Sequence, residues 1–139
     1  MTNIEQLKKL YREQIIPYST HPYHFEKRAE ASKTFKAYNP LCGDKFELYV
    51  TLENDLIKSI YFHGFGCAIS KASTSILAKK AEGMIWDDFM ILSKDFLNVI
   101  ANKNDTKFED KTLNILNEIK HYNGRMDCVK LSWEALCRD

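Results

Sequence analysis

Residues 39–70 of the chain are NPLCGDKFELYVTLENDLIKSIYFHGFGCAIS, and this stretch decides the fold. Apolar and polar side chains alternate through Lys45–Glu53, which is the period-two pattern of a half-buried β-strand. Asn54 and Asp55 follow, and these residue types tolerate the positive φ that a tight hairpin turn needs. The segment Leu56–His63 is therefore predicted to return as the second strand of an antiparallel hairpin.

The two ends of an antiparallel hairpin lie side by side, so residues that flank it are brought together. Cys42 and Asp44 precede the first strand, and Cys67 follows the second. Two thiols and a carboxylate are thus expected at one end of the sheet, and such groups ligate zinc. The alternative is that these cysteines are small buried apolar residues, because the long spacing is by itself a weak zinc signal.

Helical periodicity accounts for most of the remaining chain. We predict a first strand at Thr34–Tyr38 beside the hairpin, and a first helix that Pro17 ends or kinks. Cys67 and Cys128 each lie where a helix is predicted to begin, and a helix N-terminus lowers the pKa of a thiol there. The predicted helices are residues 3–16, 69–80, 86–100, 108–122 and a last one that begins near Cys128.

These elements predict one α+β domain over residues 1–139, in which about five helices pack on a small three-stranded antiparallel sheet. The large aromatic residues of the third helix form a stripe that resembles a cofactor-binding face. A helix that packs on a sheet has the same pattern, and we favour packing.

Composition excludes several functional classes. The chain has 139 residues with 20 basic and 19 acidic side chains and a net charge of +1, so it offers no basic stripe for nucleic acid or a membrane surface. We find no signal peptide and no transmembrane segment. Four cysteines without an export signal indicate a reducing compartment, with metal or thiol chemistry rather than disulfides. We therefore expect a cytoplasmic protein.

Three motifs resemble those of the SufU proteins in the IscU/NifU N-terminal family. They are Asn-Pro-x-Cys-Gly-Asp at 39–44, Gly-x-Gly-Cys-x-Ile-Ser at 64–70 and Arg-x-x-Cys-x-x-x-Ser-Trp-x-x-Leu at 125–136, in the family's order. The resemblance implies a SufE/NifU-like fold. It also implies a sulfurtransferase-type carrier that accepts persulfide sulfur from a SufS-type cysteine desulfurase and serves downstream iron–sulfur assembly proteins.

The resemblance further implies a zinc ion held by Cys42, Asp44, Cys67 and Cys128. We predict that Cys42 is the sulfur acceptor, because it lies in a loop beside a glycine while the other two thiols begin helices. Arg125 matches the family's arginine before the third cysteine, where its charge would support a site of formal charge −2; the alternative is a solvated surface arginine.

Two alternatives remain. An IscU-type scaffold would assemble a [2Fe-2S] cluster on the same cysteines, but IscU proteins carry histidine where this chain has Asp127. The chain also lacks the Pro-Pro-Val-Lys signature, and its segment between Cys67 and Cys128 is longer than in IscU. The other alternative is an adaptor with a purely structural zinc. Asp127 and the pair Pro17-Tyr18 both depart from the SufU pattern.

Overall fold

A computed structural model describes residues 5, 8–9, 11–102, 108–119 and 125–137 of the chain. These residues form one antiparallel sheet in the order β1-β2-β3 and five α-helices, so the predicted architecture is confirmed. The strands are β1 (Lys33–Asn39), β2 (Asp44–Glu53) and β3 (Leu56–Phe65). The helices are α1 (Ile16–Thr20), α2 (Ala68–Ala81), α3 (Trp86–Ala101), α4 (Lys111–Glu118) and α5 (Met126–Cys137).

The β2–β3 hairpin forms as the alternation predicts. Asn54 and Asp55 have φ values of 52° and 66°, so both turn residues are left-handed. The inner face of β2 is fully buried at Phe46, Leu48 and Val50, and it packs against the helices. A register shift after Thr51 ends the strict alternation near the turn. The hairpin therefore has a buried face and an outer face, and its open end carries the predicted site.

The outer face of the sheet is more covered than a simple alternation suggests. Tyr49 is only 8% exposed there, and its hydroxyl donates a hydrogen bond to Glu47 at 2.9 Å. The chain before β1 runs along β3, where the backbone N–H of Glu26 donates to the carbonyl of Phe62. The N–H of Phe62 in turn donates to the carbonyl of His24, so this segment covers the edge of β3.

The aromatic stripe of α3 packs in the core, as we favoured from the sequence. Phe89 and Phe96 are fully buried against the indole of Trp133 on α5, with ring centroids 6.0 and 4.3 Å from it. Helix α5 also packs against β1 and α2, so its position is fixed by both layers. None of the described helices is long and apolar enough to cross a bilayer.

The sequence predicts that Pro17 ends or kinks the first helix, and the structure shows that the helix does not end there. The helical path passes through a π-helical turn at Tyr11–Ile15 and continues as α1 to Thr20, with Pro17 in the first turn of α1. Proline is tolerated there because an N–H in the first turn has no acceptor within the helix. The predicted start of this helix, at residues 3 and 4, lies outside the described residues.

The fourth helix begins later than the apolar pattern predicted. It starts at Lys111 because the Asp110 carboxylate caps it, accepting hydrogen bonds from the N–H groups of Thr112 at 2.9 Å and Leu113 at 3.0 Å. The chain at Phe108 therefore precedes the helix. The predicted stop at Gly124 lies outside the described residues.

The hairpin turn gives a test of the fold. Replacing Asp55 with glycine should stabilise the protein by a few tenths to about 1 kcal/mol, because glycine adopts positive φ without the steric cost of a side chain. The carbonyl of Asp55 accepts a hydrogen bond from Trp86 N–H at 2.8 Å, and the substitution keeps it. Asp55→Val should instead destabilise. Urea unfolding measures both, and a destabilised Asp55→Gly would contradict the left-handed turn.

Candidate metal centre

Cys42 lies in the turn that joins β1 to β2. The turn is closed by a hydrogen bond from Gly43 N–H to the carbonyl of Asn39 at 2.8 Å, and the Asn39 side chain accepts one from Leu41 N–H at 3.0 Å. Gly43 has φ +80°, which a side chain would disfavour. The thiol of Cys42 is exposed. The segment predicted as a loop is thus a hydrogen-bonded turn, and it leaves Cys42 exposed.

Asp44 is the first residue of β2 and is only 5% exposed. Its Oδ1 accepts a hydrogen bond from the backbone N–H of Cys67 at 3.2 Å, which joins the two ends of the hairpin directly. Its Oδ2 is buried and has no hydrogen-bond partner in the described part of the chain. A buried carboxylate oxygen without a partner is costly, so the position favours a cation.

Cys67 is the N-cap residue of α2, as predicted. Its Sγ accepts a hydrogen bond from the N–H of Ser70 at 3.4 Å, with the Ser70 hydroxyl at 3.5 Å. Gly66, just before it, has no room for a side chain, because a Cβ there would lie 2.2 Å from the ring of Phe46. Backbone packing and the helix start therefore fix the position of this thiol.

Cys128 lies in the first turn of α5 and is 7% exposed. One ligand atom from each of Cys42, Asp44 and Cys128 lies within 4.8 Å of the other two, which is a separation that a metal ion can bridge. Cys67 is outside this group of three but contacts it, through its N–H to Asp44 and its thiol to Cys128. All four predicted ligand residues thus come from separate elements to one end of the sheet.

Cys67 and Cys128 perturb each other's pKa in opposite directions. A hydrogen bond from Cys128 lowers the pKa of Cys67 to about 5, and the bonds from Ser70 act in the same direction while burial opposes them. The same hydrogen bond raises the pKa of Cys128, with burial and the negative charges of Cys67, Asp44 and Cys42 adding to the effect. The cluster therefore carries negative charge. Among the residues that the structure describes, no lysine, arginine or histidine side chain forms an ion pair with it.

These donors fit zinc. Thiolates with one carboxylate are a ligand set that zinc accepts in tetrahedral sites, and the unpartnered Oδ2 of Asp44 is a donor that the protein itself does not use. The pKa of Cys128 is raised by the hydrogen bond with Cys67, by burial and by neighbouring negative charges, and a bound cation would offset those charges.

Arg125 and Asp127 lie beside the centre but are turned outwards. Arg125 is exposed, and its guanidinium forms no ion pair or hydrogen bond with any described residue. The carboxylate of Asp127 is 66% exposed and lies 3.9 Å from Nζ of Lys130, one helical turn later. Asp127 therefore does not point its charge into the thiol cluster.

Cys137 and the histidines that the structure describes lie outside the group of possible metal ligands. Cys137 is at the far end of α5, where burial raises its pKa and its charged neighbours are Lys94 and Glu134. The side chain of His63 packs against the ring of Phe25, with centroids 4.7 Å apart. His121 lies outside the described residues.

His24 has a partner that its spacing did not reveal. Its Nδ1 lies 2.8 Å from Oε2 of Glu82, and its ring stacks between Tyr23 and Tyr61 with centroids 3.8 and 4.1 Å away. Tyr23 also donates a hydrogen bond to Glu82, which raises the pKa of Tyr23 to about 12. The run of three aromatic rings at residues 23–25 was the available signal, and the cluster fixes the segment along β3.

Buried hydroxyl groups join the two helices that carry Cys67 and Cys128. The Ser73 hydroxyl donates to the carbonyl of Val129 at 2.7 Å and accepts from the indole N–H of Trp133 at 3.0 Å. One residue on, the hydroxyls of Thr74 and Ser132 lie 2.7 Å apart. We call these four side chains, Ser73, Thr74, Ser132 and Trp133, the α2–α5 seam. The seam sets the axial register of the helices, and hence the distance between the two thiols.

The seam can be tested with a pair of serine variants. Ser73→Ala leaves the carbonyl of Val129 and the indole N–H of Trp133 without their buried partner, which should cost about 1–3 kcal/mol of unfolding free energy. Ser93→Ala is the control, because Ser93 is equally buried on α3 and its hydroxyl has no partner among the described residues. Chemical denaturation should show a near-neutral control. Equal losses in the two variants would argue against the seam.

Comparison with known proteins adds a family. Residues 10–137 match the family model described as the NifU-like N terminal domain. The chain is 28% identical to the iron–sulfur cluster assembly scaffold protein IscU of Thermotoga maritima, over 93% of this chain and 91% of that protein. It is 29% identical to the zinc-dependent sulfurtransferase SufU of Bacillus subtilis, over 94% and 88%.

Solved structures share the fold. A Fervidobacterium islandicum protein, named as an iron–sulfur cluster assembly scaffold protein for the SUF system, superposes with a TM-score of 0.79 at 31% identity, over 92% of this chain and 94% of that one. The N-terminal part of a NifU-like protein from Brucella abortus gives a TM-score of 0.79 at 17% identity, over 94% and 92%. The second likeness concerns the fold alone.

Proposed function

Because the chain belongs to the NifU-like N-terminal domain family, we propose that it is a zinc-binding sulfur acceptor of the SufU type for iron–sulfur cluster assembly. The observation that carries this proposal is the convergence of Cys42, Asp44 and Cys128, with a buried carboxylate oxygen left unpartnered among the described residues. Cys67 completes the ligand set. The relative from Bacillus subtilis, named a zinc-dependent sulfurtransferase, supports zinc over other metals.

Cys42 is the sulfur acceptor in this proposal. Cys67 is held at the start of α2 by hydrogen bonds from Ser70, and Cys128 is buried in α5. Cys42 alone among the three has an exposed thiol, and it lies on a turn rather than within a helix. A persulfide on a partner protein can therefore reach Cys42 without displacement of any helix.

The transfer step is a thiol exchange at sulfur. The thiolate of Cys42 attacks the terminal sulfur of a persulfide on the catalytic cysteine of a SufS-type desulfurase, and a new S–S bond forms on Cys42. The S–S bond of the donor breaks, and its electron pair leaves with the desulfurase cysteine as a thiolate. No external oxidant or reductant is needed, because one persulfide replaces another. Bound zinc would supply stabilisation of the Cys42 thiolate before the partner arrives.

Arg125 has a supporting role in the proposal. Its exposed side chain lies at the start of α5, three residues before Cys128. Its positive charge offsets a site that would carry formal charge −2 with zinc, and it also favours an incoming anionic persulfide. The guanidinium of Arg125 has no ion-pair or hydrogen-bond partner among the described residues, so it is free to turn towards the metal site or towards the incoming persulfide. We expect the protein to act in the cytoplasm with the desulfurase and with downstream iron–sulfur assembly proteins.

The second candidate is a scaffold that assembles a [2Fe-2S] cluster. The observation in its favour is the relative from Thermotoga maritima, which is named an IscU scaffold protein. The same four side chains would hold the cluster. An adaptor with a structural zinc is the third candidate, and it differs because none of its thiols would react while the metal is bound.

Metal analysis distinguishes the first two candidates. We expect colourless protein with about one zinc per chain, and Asp44→Asn should weaken zinc binding about 10-fold to 100-fold or more, because it removes the charge while keeping the acceptor for Cys67 N–H. Competition with a chromophoric chelator measures the affinity. Cys137→Ser is the control and should keep wild-type affinity. Iron with a red-brown colour would favour the scaffold.

The sulfur acceptor is tested by peptide mass spectrometry. After brief incubation with a cysteine desulfurase, its pyridoxal phosphate and free cysteine, one added sulfur should appear first on the peptide that contains Cys42. The physical reason is that Cys42 is exposed on a turn, whereas Cys67 is held by a hydrogen bond from Ser70 and Cys128 is buried. Cys42→Ser should abolish the stimulation of desulfurase turnover. Persulfide that appears first on Cys67 or Cys128 would contradict the assignment, and no persulfide on any thiol would favour the adaptor.

A further inference from the structure

At the open end of the hairpin, the two faces of the sheet carry different side chains. Side chains alternate along β2, so Asp44 shares the inner face with buried Phe46, whereas Lys45 projects from the outer face with Glu47. The candidate metal centre therefore lies on the helix side of the sheet. The outer face at the same end does not belong to that centre, and the proposed chemistry gives it no role.

A groove of about 300 Å³ lies on this outer face. It runs between the sheet and the segment that covers β3. We call it the outer groove. The outer-face side chains that line it are those of Lys27, Lys45, Glu47, Tyr49, His63 and Phe65. Its floor is ordered, because Tyr49 is almost fully buried and bonded to Glu47.

The rim of the outer groove is apolar and unusually exposed. Phe65 is 80% exposed, and it pairs in register with Lys45, which pairs with Tyr38 on β1. Tyr38 is 55% exposed, so a phenyl ring and a phenol flank one lysine on the same row of the sheet. Aromatic rings this open to water do not stabilise the monomer, and exposed apolar patches often mark sites of protein contact.

The charge of the outer groove is positive. Lys27 and Lys45 are both exposed, and neither forms an ion pair or hydrogen bond with any residue that the structure describes. The only carboxylate in the lining is that of Glu47, which already accepts the hydroxyl of Tyr49. Two unpaired ammonium groups beside aromatic rings attract carboxylates that are flanked by an apolar side chain.

We propose that the outer groove is a docking site for a partner protein that presents an acidic segment with an apolar anchor. The anchor packs against Phe65 while its flanking carboxylates meet Lys27 and Lys45. Because the groove and the thiol cluster lie on opposite faces of one sheet end, this partner binds without covering Asp44 or Cys128. The inference does not depend on the chemistry proposed for Cys42.

Other occupants fit less well. A second copy that docked through the same groove would bring the lysines of both copies together, which is unfavourable. A nucleic acid would need a continuous basic path for its phosphates, but Glu47 lies within the lining and the chain carries a net charge of only +1. A segment of protein can satisfy Glu47 with its own N–H or hydroxyl groups.

The test uses a library of random twelve-residue peptides displayed on phage. The library is selected on immobilised wild-type protein after depletion on the double variant Lys27→Glu/Lys45→Glu. Enriched peptides should be net negative and carry Leu, Phe or Trp. Synthetic copies should bind the wild-type protein with a Kd that rises at least tenfold in the double variant and in Phe65→Ser, as measured by fluorescence anisotropy.

Two matched variants control for general effects of charge and apolarity. Lys111→Glu changes an exposed lysine at the start of α4. The neighbouring residue Asp110 contacts Lys80, which lies near the opposite end of α2 from Cys67. Ile91→Ser removes an apolar side chain that is 69% exposed on α3. Both should bind the selected peptides within twofold of the wild-type protein.

Several results would overturn the proposal. These are a selection that enriches no peptide, enriched peptides that are neutral or basic, and a Kd that is unchanged in the groove variants. Binding of oligodeoxythymidylate or of phosphatidylserine vesicles that is lost in the same variants would assign the groove to nucleic acid or membrane instead. Self-association that Phe65→Ser abolishes in sedimentation experiments would assign it to a second copy.

Discussion

The hydrogen bond from Cys67 N–H to Asp44 Oδ1 is the contact on which the candidate centre depends. It joins the first residue of β2 to the N-cap of α2, so the hairpin closes and the second helix starts at the same point. It also consumes one oxygen of a buried carboxylate and leaves the other directed at the thiols without a partner among the described residues. The N–H of Cys67 thus fixes the orientation of the Asp44 side chain and leaves one of its two oxygens available to bind a metal ion. Hydrogen bonds of this kind preorganise ligand residues in proteins.

The third cysteine reaches the centre by a different route. No hairpin geometry brings residue 128 to the sheet, and its position depends on how α5 packs against α2 and β1. Buried hydroxyl contacts between Ser73 and Val129, and between Thr74 and Ser132, give that packing a specific register. Apolar contacts alone would hold the helices together but allow them to slide, whereas directional bonds in a buried interface tolerate little displacement. The seam therefore helps to position Cys128 relative to Cys67, and so contributes to the geometry of the candidate centre.

The sequence predicted the hairpin, the sheet and the position of Cys67, because these depend on local patterns of alternation, turn residues and helix starts. It did not predict the seam or the pairing of His24 with Glu82, since both join residues far apart in the chain and neither has a local period. The sequence did not decide between an end and a kink at Pro17, because the effect of this proline depends on whether a helix continues from a π-helical turn or starts afresh. The burial of Tyr49, which is only 8% exposed on the outer face of the sheet, does not follow from the alternating pattern of the strand either.

The arrangement of charge explains why reactivity would be confined to one thiol. The pKa of Cys128 is raised by its hydrogen bond to Cys67, by burial and by the negative charges of Cys67, Asp44 and Cys42. A bound cation would offset these negative charges and so lower the pKa of Cys128. Cys42 contributes to the same cluster from an exposed turn, where water competes for its charge and no helix holds it. In the proposed zinc site, Cys67 and Cys128 would therefore be the thiols that retain the metal, and Cys42 would be the thiol that is exchanged.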